Sequence, residues 1–91
     1  MKQDEISEQS TQDAIDDPRV IQIANKIKEL RIQKGYSSHE NFAWDNNLNR
    51  VQYWRIEKGK NITIKTLLTI LDIHKISLEA FFSGMDELPM P

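Results

Sequence analysis

A chain of 91 residues with 38% apolar residues and no cysteine has room for one small core, without disulfides to staple it or thiolates to hold a metal. Its N-terminus, Met1-Lys2-Gln3-Asp4-Glu5-Ile6, has neither a basic start nor an apolar run, and no stretch approaches the roughly 18 apolar residues of a spanning helix. Export and membrane insertion are therefore not expected, which points to the cytoplasm. The net charge of −2 hides a division: residues 1–18 hold one Lys against six acids, residues 19–82 hold eleven Lys or Arg against six, and the last nine add two acids. The middle of the chain is basic, so the acidic average does not exclude a polyanionic partner, which responds to local charge.

Residues 1–17 are rich in Gln, Ser, Thr, Asp and Glu with only Ile6, Ala14 and Ile15 among them. That is too little apolar surface to offset the entropy of ordering, so they read as a disordered acidic tail. Helix one is predicted to begin at Asp17-Pro18, an acidic cap followed by proline at the first helical position. Val20, Ile23, Ala24, Ile27, Leu30 and Arg31 then recur at helical spacing, and Gly35 ends the run. The second helix starts at Ser37, which forms a capping box with Glu40, or at Ser38. Phe42 and Ala43 point inward.

Asn47 suits a turn with positive φ, Leu48 offers an apolar plug, and Asn49 caps a third helix at about 49–58. Tyr53 and Ile56 lie three apart on its inner face, which leaves Arg50, Val51, Trp54, Arg55 and Lys58 on a cationic, partly apolar outer face. Thr63 caps a fourth helix whose Ile64, Leu67, Leu68, Ile70 and Leu71 read as mostly core. Ser77 caps a last helix from Leu78 to about Ser83, closed by Gly84. Its adjacent Phe81 and Phe82 cannot both face one core.

From Ser38 to Gly59 the two short helices around a tight turn are the grammar of a helix-turn-helix. At these residues the chain resembles the Cro and lambda-repressor type of regulator, the XRE family, and the resemblance runs from Val20 to Phe82. Upstream, Ile27-Lys28-Glu29-Leu30-Arg31-Ile32-Gln33-Lys34-Gly35 is similar to the family's first helix and its terminating glycine. Downstream, Ile56-Glu57-Lys58-Gly59-Lys60-Asn61-Ile62-Thr63 is similar to the exit of its recognition helix. The resemblance implies an all-α, five-helix lambda-repressor-like domain over residues 18–84, between the tail of residues 1–17 and a C-terminal tail of residues 85–91.

By the same resemblance the chain is a sequence-specific regulator of transcription, expected to be a repressor, that inserts its third helix into the major groove of double-stranded DNA. Position by position, Arg50, Val51 and Arg55 become base-edge readers, with Gln52 close to the backbone or to an adjacent base. Arginine bridges guanine O6 and N7 and valine touches a thymine methyl; the bland alternative for either arginine is a phosphate clamp. Ser38, His39, Asn49, Trp54, Lys58, Lys60 and Asn61 fall at the DNA backbone. The family usually has glutamine where His39 stands, and this histidine either keeps the phosphate contact, more strongly when protonated, or is a plain surface residue. Arg31 and Glu57 take the positions of a structural ion pair.

Four further positions depart from the family pattern. Tyr53 stands where an aliphatic residue is common and fits if its hydroxyl reaches the surface. Trp54 packs on the sugar-phosphate backbone, binds a partner, or folds against Trp44. His74 and Lys75 replace a leucine and a glycine, which opens the end of the fourth helix to remodelling. One exposed phenylalanine, with Ile73 or Ile76, suits a twofold interface, so Ile73, Ile76, Phe81 and Phe82 are the candidates for a homodimer with recognition helices about 34 Å apart. No cofactor is expected, nor a metal, since His39 and His74 lack ligand spacing, nor catalysis, since no phosphate loop or nucleophile set is present. The rival reading is a protein-interaction module of antitoxin or adaptor type. On either reading the acidic tail is a solvated extension, a competitor of DNA for the basic face, or a segment that orders on a protein partner.

Overall fold

The computed structural model describes residues 17–85; the expectations for residues 1–16 and 86–91 lie outside the described part. Five helices follow one another: α1 (Pro18–Gln33), α2 (His39–Asp45), α3 (Arg50–Glu57), α4 (Ile64–His74) and α5 (Leu78–Phe82). Each begins with a side-chain oxygen that accepts one of the backbone N–H groups left over by the first turn. Asp17 accepts from Arg19 N at 2.9 Å, Asn49 from Gln52 N at 2.8 Å, Thr63 from Thr66 N at 3.1 Å and Ser77 from Ala80 N at 3.0 Å. For α2 the choice falls on Ser38, whose hydroxyl accepts from Asn41 N at 3.2 Å.

The helices also stop alike. After each of α1 to α4 one residue turns to positive φ, in order Gly35, Asn47, Gly59 and Lys75. The next amide then bonds five residues back: Tyr36 to Arg31 O at 3.1 Å, Leu48 to Ala43 O at 2.9 Å, Lys60 to Arg55 O at 3.0 Å and Ile76 to Leu71 O at 3.0 Å. This left-handed stop satisfies carbonyls that the last turn leaves without partners. The end of α4 is therefore not remodelled, for Lys75 makes the glycine-type turn itself, at φ 56. A side chain is strained there, and Lys75→Gly is expected to stabilise the domain by about 0.5–1 kcal/mol in urea unfolding. An unchanged midpoint would show that the turn is not strained.

The core gathers Ile27 from α1, Phe42 and Ala43 from α2, Tyr53 and Ile56 from α3, Leu67, Ile70 and Leu71 from α4, and Phe81 from α5. Phe42 sits at its aromatic centre, with ring centroids 5.3 Å from Tyr36, 5.1 Å from Tyr53 and 5.2 Å from His74. Two expectations for α4 need correction: Ile64 and Leu68 are 73% and 39% exposed, because Leu67, Ile70 and Leu71 already fill the stripe that meets the bundle. At α5, Phe81 is fully buried, so it cannot join a surface interface, whereas Phe82 packs edge-on against it and stays 42% exposed. Ile73 and Ile76 are partly buried against the core.

Candidate nucleic-acid interface

Burial fixes the rotation of α3. Tyr53 and Ile56 face the core, so at about 100° per residue the opposite ridge is Val51, Trp54, Arg55 and Lys58. Val51 is 61% exposed, so its methyl groups are available on the ridge. Arg50 and Gln52 stand on the two flanks. Arg50 lines an open groove on the α2 side with Glu40, Asn41, Trp44 and Leu48. Gln52 borders a small depression on the α4 side with Asn49 and Thr66.

Trp54 does not fold against Trp44. Its ring instead carries Lys58, whose Nζ lies 5.6 Å from the centroid, a cation–π contact along the same ridge. Trp44, at the end of α2, is 82% exposed and shares the groove with Arg50, a neighbourhood that residue spacing alone did not reveal.

Around the ridge, the caps decide which atoms remain for a ligand. The Ser38 hydroxyl and the Asn49 carbonyl oxygen accept from backbone amides, which leaves the Ser38 O–H and the Asn49 amide N–H₂ to donate outward. His39 is half-buried at the first position of α2; past α3, Lys60 is half-buried and Asn61 exposed. Gly59, just before them, has φ 86, and a Cβ there would lie 2.6 Å from Ile21 Cδ1, so α1 closes directly over the exit of α3.

Beneath that exit Arg31 and Glu57 form a forked pair, Nε to Oε2 at 2.8 Å and Nη2 to Oε1 at 3.0 Å. The third arm, Nη1, donates to Tyr36 O at 2.8 Å and so reaches the turn after α1. Both side chains are about as buried as core residues, 5% and 6% exposed, and the bond to Glu57 raises the guanidinium pKa further. Correcting the expectation for Tyr53, its hydroxyl is buried beside this pair and no described residue accepts or donates at hydrogen-bond geometry. Burial first, and Glu57 second, push the phenol pKa up.

The arrangement can hold a polyanion against a fixed cationic ridge and place Val51 and Arg55 in a groove. Among the described residues no three His, Cys, Asp or Glu side chains group as a metal site, and no helix is long and apolar enough to cross a membrane. No protein-family model matches the chain. It is 37% identical over 68 residues to the control protein C.MunI of a Mycoplasma species, spanning 74% of this chain and 92% of that protein. The chain belongs to the controller proteins, helix-turn-helix regulators of XRE type. The fold agrees with a solved controller, the restriction-modification protein C.Esp1396I, crystallised as a tetramer in complex with its natural 35 base-pair operator. The TM-score is 0.62 at 31% identity, covering 72% of this chain and 87% of that one. Identity above 30% in both comparisons carries the family as well as the fold.

Proposed function

We propose that this controller protein regulates transcription by binding an operator in double-stranded DNA, with α3 in the major groove. The carrying observation is the ridge opposite Tyr53 and Ile56, with Val51, Trp54 and Lys58 exposed and Arg55 half-buried, on a helix tied down by a buried ion pair. Val51 and Arg55 are its base readers, and Arg50 and Gln52 reach the base pairs on either flank. Ser38, His39, Asn49, Trp54, Lys58, Lys60 and Asn61 hold the two backbones, where they set register and carry no sequence information. The controller acts as a homodimer through Phe82, with Ile73 and Ile76 behind it, and the tetramer on DNA formed by C.Esp1396I supports a symmetric assembly.

Selection of operator fragments with the intact protein, followed by competition against single base changes, tests the assignment. Arg55→Ala is expected to lose about 1–3 kcal/mol of discrimination at one base pair of each half-site. Lys60→Ala is expected to weaken all sequences alike and to reduce the salt dependence by about one counterion. Uniform weakening by Arg55→Ala would make that arginine a phosphate clamp and end its role as a reader.

A further inference from the structure

The operator reading leaves one charged segment without a role. Residues 1–16 carry Asp4, Glu5, Glu8, Asp13 and Asp16 against Lys2 alone. The next acid, Asp17, is already engaged, capping α1 and pairing with Arg19 at 2.6 Å.

Where this segment joins the fold matters. Ile21 lies over Gly59, and the described chain begins at Asp17, four residues and about 6 Å of helix rise before it, so the start of α1 lies near the exit of the recognition helix. Lys58 and Lys60 flank Gly59 there, and among the described residues no carboxylate pairs with either. Sixteen residues reach about 50 Å when extended and have a typical end-to-end distance of about 20 Å as a free chain, enough to pass along the whole ridge. A tethered anion so close to these cations has an effective concentration on the order of millimolar. Free carboxylates at a lower concentration could not match it.

We infer that residues 1–16 dock on the cationic exit of α3, around Lys58, Lys60 and the adjoining ridge, and compete there with DNA phosphate. The inference rests on the operator reading for its consequence, though not for the docking itself. Such a competitor must leave Lys58 and Lys60 before any duplex that uses them can bind, whether operator or random sequence. Base-edge contacts by Val51 and Arg55 are not mimicked by carboxylates, so the segment lowers the affinity for operator and bulk DNA alike and leaves the discrimination between them in place.

The test uses the full chain with Asp4→Asn, Glu5→Gln, Glu8→Gln, Asp13→Asn and Asp16→Asn together. Without DNA, at low salt, ¹⁵N spectra of this variant are expected to differ from the parent at the Lys58, Gly59, Lys60 and Asn61 amides and the Trp54 indole, with the α4 and α5 signals unmoved. Binding to a random-sequence duplex is expected to tighten several-fold, with a salt slope steeper by about one or two, since phosphate then no longer displaces carboxylates. Unchanged signals from Lys58 to Asn61 would overturn the docking. Shifts with unaltered duplex affinity would overturn the competition. If neither protein bound any duplex, the operator reading and the competition would fall together, while the spectral shifts would still establish the docking.

Discussion

Glu57→Ala is expected to lower the unfolding free energy by about 3–5 kcal/mol, because it leaves the Arg31 guanidinium buried without its counter-charge. Both partners are almost as inaccessible as the core, so water cannot replace the carboxylate. Domains of this size are held by only about 5–15 kcal/mol in total, and the variant should therefore be partly unfolded at ordinary temperature. The damage should be directional as well. Glu57 is the last residue of α3, and Arg31 links it to the turn at Tyr36, so the pair sets how the recognition helix leans on α1. Operator affinity should fall even under conditions that restore folding.

Replacing both partners, Arg31→Met with Glu57→Leu, should recover most of the stability, since a packed apolar pair carries no desolvation cost. It should not recover operator affinity fully, because the fork that orients α3 is gone. Urea unfolding of the parent and the two variants measures the first effect and fluorescence anisotropy on an operator duplex the second. A loss below about 1 kcal/mol for Glu57→Ala would mean that the pair behaves as a surface salt bridge, against its burial.

Most of this architecture was legible because it is written in local chemistry. Asp17, Asn49, Thr63 and Ser77 are acceptors at the positions where helices need them, and Gly35, Asn47 and Gly59 tolerate the left-handed stop. The errors arose where the outcome depends on which neighbour arrives. In α4 the nearly continuous apolar run does not say that Ile64 and Leu68 are the ones left out; only the placement of α3 and α5 decides that. Phe81 and Phe82 are chemically identical, and their burial is set by the rotation of a five-residue helix. The condition that Tyr53 send its hydroxyl to the surface is not met, for the phenol ends beside the Arg31–Glu57 pair, a site assembled from two distant segments. Arg50 was grouped with the outer face of α3, and only the seating of α2 turns it toward Trp44 and a separate groove. The character of the interface was thus readable, and the division of its cations between ridge and flank was not.

Phe42→Ala is expected to cost about 3–5 kcal/mol, the range for emptying a fully buried aromatic site, and to alter the acid sensitivity of the fold. The second effect comes through His74. Its ring stacks on Phe42 with planes 8° apart, and its Nε2 is buried with no hydrogen-bond partner among the described residues. Burial, and to a smaller degree the Lys34 ammonium, hold the imidazole pKa below its usual value of 6.5. The folded state therefore binds fewer protons than the unfolded chain once pH drops below that value. This contribution to stability is intact above about pH 6.5 and is lost progressively as pH falls from there toward the folded pKa. Removing the Phe42 ring opens space beside His74 for water to reach the imidazole, which brings its folded pKa back toward the unfolded one. Phe42→Ala should then be less stable at every pH but show a shallower decline between about pH 7 and pH 5.5. The variant His74→Leu should flatten the same interval while keeping the core filled. Urea midpoints for the three proteins at both pH values decide it: parallel declines would show that the acid sensitivity arises elsewhere than at the half-buried His74 imidazole.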